Sequence, residues 1–236
     1  MRDGVAFNHA YCQSPICTPS RGSFLTGRYP STTRLRQNGQ RISPHERLLP
    51  RILADDGYTC GLAGKLHLSP CQYEAESRVD DGYSFFAWSH SNVPKWKENQ
   101  FTQWLLKELG NDWTDVYPFS MEEIKNAGPV GGMPHGYVAW EGLPAELSQC
   151  TWCTNQALEF IRANKDGPWM CSVNVFDPHH PFDPPAEYMS RYNPDDMPLP
   201  SYVDGELDNK PSYQQTDFNG AYGGRGMAYS AMTPDE

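Results

Sequence analysis

The stretch from Cys17 to Gly27 contains residue types that could attack an anionic ester. Its sequence is CTPSRGSFLTG. Thr18 is a favoured N-cap residue, and Pro19 suits the first helical turn, where no N–H is needed. The pattern therefore predicts a helix that begins at about Ser20 and is ended by Gly27. Cys17 would lie just before the unpaired N–H groups of that helix, where partial positive charge favours an anion.

Further side chains could place positive charge and proton donors beside Cys17. Arg21 carries a permanent cation whose planar fork of N–H donors suits sulfate or phosphate oxygens. Lys65 and His67 follow a predicted strand, and on an extended chain they would point to the same side. His179 and His180 follow a second predicted strand, in a loop that its prolines make extended and stiff. Open α/β sheets bind ligands beyond the carboxyl ends of their strands, so these residues could share one site, whereas for Lys65 and His67 taken alone a solvated lysine and a structural histidine are the simpler interpretation.

The elements that must position these residues alternate between helix and strand. Apolar residues at helical spacing predict helices over residues 46–56, 95–109 and 147–164. Short apolar runs predict buried strands over residues 58–63 and 169–176, the second of them central because it carries little charge. This alternation is typical of an α/β fold. We therefore predict a mostly parallel sheet flanked by helices.

Three motifs carry a resemblance to one family. C-x-P-S-R followed by L-T-G resembles the signature of the type I sulfatases, members of the alkaline phosphatase superfamily. G-K-x-H-L at residues 64–68 and P-H-x-P-F at residues 178–182 resemble the second and third motifs of that family. The resemblance implies that a separate enzyme oxidises Cys17 to Cα-formylglycine (3-oxoalanine) and that the hydrated aldehyde is the nucleophile.

The resemblance also implies a role for each matching residue. Cys17, as formylglycine, is the nucleophile and a metal ligand, and Arg21 holds the hydrate and the charge on the metal side. Lys65 contacts the sulfate oxygens, and His67 steadies or deprotonates the second hydroxyl of the hydrate. His179, together with Lys65, serves the leaving oxygen as an acid or hydrogen-bond donor. Lys65 and His179 are therefore the predicted substrate-binding residues.

The metal that the resemblance implies is Ca²⁺, with Mg²⁺ as an alternative, acting as a Lewis acid. The four side chains that should complete its site with Cys17 have no match in this sequence. The pair Asp208-Asn209 is of the right type, but no hydrophobic strand precedes it, so we predict a surface segment there. We therefore expect residues 1–236 to form part of a sulfatase-like catalytic domain, incomplete at both ends, without its first strand and its C-terminal part.

The predicted function is hydrolysis of a sulfate monoester, with a sulfated carbohydrate or small molecule as substrate. A phosphonate or phosphodiester hydrolase of the same superfamily is one alternative, and an inactive sugar-binding fragment is another. The predicted protein partner is a maturation enzyme, either the formylglycine-generating enzyme or the anaerobic sulfatase-maturating enzyme.

Composition excludes two classes of partner. The 236 residues carry a net charge of −10 and contain no basic stripe, which argues against nucleic-acid binding. No apolar run approaches the roughly 20 residues of a membrane span. The N-terminus lacks signal-peptide character, although the resemblance implies a periplasmic, secreted or lysosomal protein. The seven cysteines include one C-x-x-C, Cys150 to Cys153, which could be a redox pair or half of a zinc site and which we interpret as a local disulfide or two free thiols.

Overall fold

The structure, a computed structural model, describes residues 3–71, 75–92, 98–110, 141–180, 182–199, 201 and 203–220. The chain divides into two units. One consists of Met1–Trp104 with Gln149–Phe176, and the other of Leu105–Ser148 with Asp177–Glu236.

A parallel sheet forms the centre of the first unit. Strand β1 is Thr59–Gly64, β2 is Phe85–Trp88 and β3 is Trp169–Asn174, in the spatial order β2–β1–β3. The two strands predicted from the sequence, β1 and β3, are confirmed. The prediction that β3 is central is wrong for the described strands, because β1 has a partner on each side. Low charge does not fix the position of β3, since Trp169 and Val173 remain partly exposed.

The helices of the described residues are α1 Cys17–Thr26, α2 Pro30–Thr33, α3 Leu49–Asp55, α4 Gln100–Leu109, α5 Gln149–Asn164, α6 Ala186–Met189 and α7 Ser212–Asn219. Short 3₁₀ turns lie at Ala145–Leu147 and Pro194–Asp196. The predicted start of α4 at residue 95 lies outside the described residues. In the described part of the chain, none of these helices has the length and apolar character needed to cross a membrane.

Helices contact the sheet of the first unit on both faces. The side chains of Cys60 and Leu62 join an apolar cluster to which α1 contributes Leu25. On the other face α5 contacts β1 and β3, and a Cβ built on Gly61 would lie 2.7 Å from the ring of Phe160. Burial of each large apolar side chain stabilises this arrangement by roughly 1.5–3 kcal/mol. The predicted α/β fold, a parallel sheet flanked by helices, is confirmed.

The three strands end at the same edge of the sheet. Gly64 of β1 lies opposite both Trp88 of β2 and Asn174 of β3. Gly64 has φ +112°, and a Cβ there would collide with the carbonyl of Asn174, so only glycine fits this position. The N–H of Lys65 then donates to the Asn174 carbonyl oxygen at 2.8 Å, and the N–H of Ser89 donates to the Gly64 carbonyl oxygen at 3.0 Å. The segments that follow the strands therefore start from one edge.

The second unit contains short helices and turns. The N–H of Gly142 donates to the carbonyl oxygen of Pro184 at 2.9 Å, which ties the segment before Ala145–Leu147 to the segment before α6. Asp208 and Asn209 are exposed and lie in a turn, with no strand of the described residues leading into them. The predicted surface position of this pair is confirmed.

Candidate active site

Cys17 is the first residue of α1, and Ile16 occupies the N-cap position without a side-chain cap. The predicted N-cap at Thr18 is wrong, because its N–H lies inside the first turn and donates to Oδ1 of Asn38 at 2.9 Å. The side chain of Asn38, from another segment, thus accepts the hydrogen bond that the side chain of an N-cap residue would otherwise accept. The predicted end of the helix is confirmed, since Gly27 closes it with φ +66°. Cys17 still lies in the first turn, where unpaired N–H groups favour an anion.

Arg21 joins α1 to the end of the sheet. Its Nη1 donates to the carbonyl oxygen of Lys65 at 2.7 Å, and Nδ2 of Asn174 donates to the same oxygen at 3.1 Å. Burial lowers the pKa of Arg21, although the charged Cys17 and Glu76 oppose that shift. A guanidinium remains charged at neutral pH, so Arg21 brings a fixed cation next to the strand end.

Lys65 and His67 are almost fully buried beside Cys17, with 3% and 7% of their surface exposed. Burial lowers the pKa of Lys65 to about 8, an effect that the negative charge of Cys17 opposes. Nζ of Lys65 lies 5.1 Å from the centre of the Phe176 ring, within the range of a cation–π interaction. Burial also lowers the pKa of His67, which keeps its imidazole neutral near pH 7 and able to accept a proton.

The thiol of Cys17 responds to these neighbours. Its pKa is lowered to about 7, chiefly by a hydrogen bond with His67, while burial works in the opposite direction. The positive charges of Lys65 and Arg21 lower this pKa further. A site that favours a thiolate is one that stabilises a negative charge at residue 17. The structure therefore brings four of the five predicted site residues together.

Glu76 was not predicted from the sequence. Its carboxylate accepts hydrogen bonds from the N–H groups of His67 at 2.8 Å, Leu68 at 2.6 Å and Ser69 at 3.3 Å, and from Nε1 of Trp88 at 3.0 Å. Burial raises its pKa, and these hydrogen bonds oppose the rise. The carboxylate fixes the loop in which His67 adopts an unusual φ of +60°. No motif marks Glu76, because its role arises only when the loop folds back on itself.

A cavity of about 460 Å³ opens beside Cys17. Arg21 contributes to its wall, and so do Tyr11 and Phe24. The last two side chains are 79% and 81% exposed, so both rings are accessible. The cavity therefore combines a reactive position and a cation with two exposed aromatic faces.

His179 belongs to the second unit. Its Nδ1 lies 2.5 Å from the carbonyl oxygen of His180, and both residues are half-buried. The structure thus places His179 in the loop that follows β3, as the sequence predicts. Its participation with Cys17 stays a prediction.

The described residues around Cys17 do not form a site for Ca²⁺. A hard cation binds carboxylate and carbonyl oxygens, whereas the side chains close to Cys17 are Arg21, Lys65 and His67. The nearby carboxylate of Glu76 is already held by four donors. In the described ranges no group of carboxylates lies close enough around Cys17 to hold an ion. We therefore derive no catalytic step through a metal from this chain.

Comparison with known proteins decides the family. A sequence profile of the sulfatase family matches residues 1–216. The chain belongs to the sulfatase family. This result confirms the resemblance that the three motifs carry.

Curated sulfatases cover most of the chain at low identity. The uncharacterized sulfatase YidJ of Escherichia coli is 26% identical over 220 residues, which is 90% of this chain and 39% of that protein. The ulvan-active sulfatase of Formosa agariphila is 27% identical over 201 residues, or 84% of this chain and 33% of that protein. The chain thus spans 33–39% of the length of these relatives.

The crystal structure of the phosphonate monoester hydrolase of Agrobacterium radiobacter has a similar fold, with a TM-score of 0.65 and 22% sequence identity. The match covers 95% of this chain and 45% of that chain. The predicted alkaline-phosphatase/sulfatase-like fold is therefore confirmed.

Proposed function

We propose that the protein hydrolyses a sulfate monoester and that the reaction takes place at Cys17, in its formylglycine form. The observation that carries the proposal is the position of Cys17 beside the buried Lys65 and His67 and the half-buried Arg21, three groups that stabilise negative charge. A sulfate ester has a tetrahedral anionic head, so fixed cations around the attacked atom lower the barrier by electrostatic stabilisation. Membership of the sulfatase family supports the same reaction.

The nucleophile forms before catalysis. A maturation enzyme, which is the proposed protein partner, removes two electrons from Cys17 with its own oxidant, and a water oxygen replaces the sulfur on Cβ, which leaves as sulfide. Water adds to the resulting aldehyde and gives two hydroxyl groups on one carbon. A serine hydroxyl at this position would be a weaker nucleophile without a dedicated base.

Each proposed step uses a side chain of this site. One hydroxyl of the hydrate attacks sulfur and gives its proton to solvent, while the alcohol leaves with a proton from Lys65 or His179. His67, which burial keeps neutral, then takes the proton of the second hydroxyl. The carbonyl forms again as the bond from the aldehyde carbon to the sulfate oxygen breaks, and sulfate departs. Arg21 holds the hydrate and balances the charge that develops during attack.

A divalent metal is included in the proposal only because the family resemblance implies one. A hard ion such as Ca²⁺ or Mg²⁺ would supply Lewis-acid polarisation of a sulfate oxygen. Residue 17 would be its one ligand among the described residues of the site. The other ligands would have to come from elsewhere in the protein.

The proposed substrate is a sulfated sugar. The exposed rings of Tyr11 and Phe24 flank the cavity that contains Cys17, and aromatic faces stack on the apolar faces of sugar rings. One relative, the ulvan-active sulfatase, is described as acting on ulvan. A free small sulfate ester would not need these two rings.

The test uses the full-length protein that contains this chain, produced together with a maturation enzyme. Peptide mass spectrometry should show residue 17 about 18 Da lighter than cysteine, the change from thiol to aldehyde. Hydrolysis of para-nitrophenyl sulfate should be lost in Cys17→Ala and retained in Cys150→Ser, which removes a cysteine of α5. Full activity with an unmodified Cys17 would refute the mechanism.

Phosphonate or phosphodiester hydrolysis is the second candidate, because the same cations would also hold a tetrahedral phosphoryl group. The fold is shared with a phosphonate monoester hydrolase. Parallel assays on para-nitrophenyl sulfate and on a phosphonate monoester separate the two, since the larger kcat/KM identifies the reaction. Binding of sulfated sugars by the matured protein without turnover of either ester would identify an inactive binding protein.

A further inference from the structure

His67, Cys71 and His90 lie together at the carboxyl end of the sheet. One ligand atom from each lies within 4.8 Å of the other two. Sγ of Cys71 is 3.3 Å from Nδ1 of His90, and the centres of the His67 and His90 rings are 4.5 Å apart in an edge-to-face arrangement. Ligand atoms around a tetrahedral Zn²⁺ are about 3.5 Å apart, because the Zn–N and Zn–S bonds are about 2.0 and 2.3 Å long. We propose that these three side chains bind one Zn²⁺ ion.

The cluster is buried and includes a polar atom that lacks a partner. His67 and His90 are 7% and 9% exposed. Nδ1 of His67 is buried and has no hydrogen-bond partner among the described residues. An unsatisfied buried nitrogen costs free energy, about 1–3 kcal/mol. A bound cation would remove this cost. The unpartnered Nδ1 of His67 therefore supports a metal site independently of the spacing of the three side chains.

One neighbouring carboxylate favours a cation, whereas the positive charges of Lys65 and Arg21 near His67 oppose one. The carboxylate of Glu76 lies next to the cluster, because it accepts hydrogen bonds from the N–H of His67 and from Nε1 of Trp88. The Trp88 ring is 6.1 Å from the His90 ring. Lys65, which adds positive charge near Cys71, works in the opposite direction. When the ion binds, the Cys71 thiol gives its proton to solvent and one S–metal bond forms.

The ligand types select a soft or borderline metal. One thiolate and two imidazoles suit Zn²⁺ and Co²⁺, whereas Ca²⁺ and Mg²⁺ prefer oxygen ligands. Three protein ligands leave one position of a tetrahedral ion open to water. This site therefore differs in chemistry from the oxygen-ligand site that the sulfatase family resemblance implies.

Zinc binding has a consequence that rests on the proposed function. His67 would serve both as a metal ligand and as the base beside Cys17, and a neutral imidazole has only one unprotonated nitrogen, so it cannot bind the ion and accept a proton at once. We therefore expect Zn²⁺ to inhibit the matured protein, and Cys71→Ser to make that inhibition at least about tenfold weaker, because one of three ligands is lost.

Cobalt provides a direct test that does not depend on activity. The chelator-treated, reduced protein is titrated with Co²⁺, and thiolate-to-cobalt charge-transfer absorption should grow to one equivalent and disappear when one equivalent of Zn²⁺ is added. Cys71→Ser and His90→Gln should each abolish this absorption. Cys150→Ser and His45→Gln, which alter a cysteine of α5 and an exposed histidine, should leave it unchanged.

Two results would overturn the zinc site. One is wild-type protein that is folded by circular dichroism and shows no charge-transfer absorption with excess Co²⁺. The other is an absorption that persists in Cys71→Ser but disappears in Cys150→Ser, which would assign the metal to the C-x-x-C pair. Neither result bears on the proposed hydrolysis of a sulfate monoester. A protein that binds Co²⁺ as described but hydrolyses no ester would refute only the proposed function.

Discussion

The contact between His67 and Cys17 can be tested on protein made without a maturation enzyme, in which residue 17 is still a thiol. A hydrogen bond with His67 is the main reason that the pKa of Cys17 is lowered from 9.0 to about 7. In His67→Gln the positive charges of Lys65 and Arg21 remain, and burial of the thiol now acts with less opposition. We expect the apparent pKa of Cys17 to rise by at least about one unit.

The assay is the rate of alkylation of Cys17 by iodoacetamide as a function of pH, followed by peptide mass spectrometry. A Cys12→Ser background removes the neighbouring thiol, and a chelator keeps metal away from the imidazole. The midpoint of the rate profile should move up by at least about one pH unit in His67→Gln. The plateau at high pH should rise about threefold per unit, because a more basic thiolate is a better nucleophile.

Near pH 7 these two effects partly cancel, so a rate at a single pH is not informative. The thiolate fraction falls from about one half to about one tenth for a rise of one unit, while its reactivity rises about threefold. The midpoint of the profile is therefore the quantity to compare. His45→Gln, at an exposed position, is the matched control and should keep the wild-type midpoint. An identical midpoint in His67→Gln and wild type would refute the geometry of the site.

Other predictions concern stability and pH dependence. Gly64→Ala should lower the free energy of unfolding, measured by urea titration, by at least about 3 kcal/mol, because residue 64 has a positive φ and the new Cβ collides with the Asn174 carbonyl. Gly167→Ala, where a Cβ meets open space, should change it by less than about 1 kcal/mol. Equal effects of the two substitutions would contradict this prediction. Glu76→Gln should lower the free energy of unfolding by about 2–3 kcal/mol, because a carboxylate that accepts four hydrogen bonds is replaced by an amide with one acceptor oxygen. An unchanged midpoint in urea would show that the carboxylate is dispensable for stability. In the matured protein kcat/KM should fall as pH rises through the pKa of Lys65, which burial lowers to about 8 while residue 17 is a thiol, because the lysine then loses its charge. Lys65→Ala should be slower at every pH and should lack this descending limb, and a limb that survives the substitution belongs to another group.

The local pattern of apolar residues predicted strands and helices correctly where that pattern was strong. The apolar runs that became β1 and β3 and the helical spacing that became α5 needed no partner to be recognised. The start of α1 was missed because the acceptor for the Thr18 N–H comes from Asn38, which lies in a different segment. The central position of β1 was missed because pairing order depends on which strands meet, and composition carries no information on that.

The sequence by itself determined the family and the residues that could react. The signature around Cys17 and the motif that contains Lys65 and His67 are contiguous strings, so they can be read without knowing where the chain goes. The need for glycine at position 64, in contrast, is explained only by the fold, because the obstacle is the Asn174 carbonyl of β3, far away in sequence.

Tertiary structure alone decided the surroundings of those residues. Glu76, Cys71 and His90 carry no motif. Glu76 and Cys71 lie near His67 because the segment after β1 folds back, and His90 lies there because it follows β2, which ends at the same edge of the sheet. The shifted pKa values of Cys17 and Lys65 likewise require burial and neighbouring charge, which exist only after folding. Motifs made of neighbouring residues can be recognised in the sequence, whereas burial and electrostatic interactions depend on distances that are set only when the chain folds.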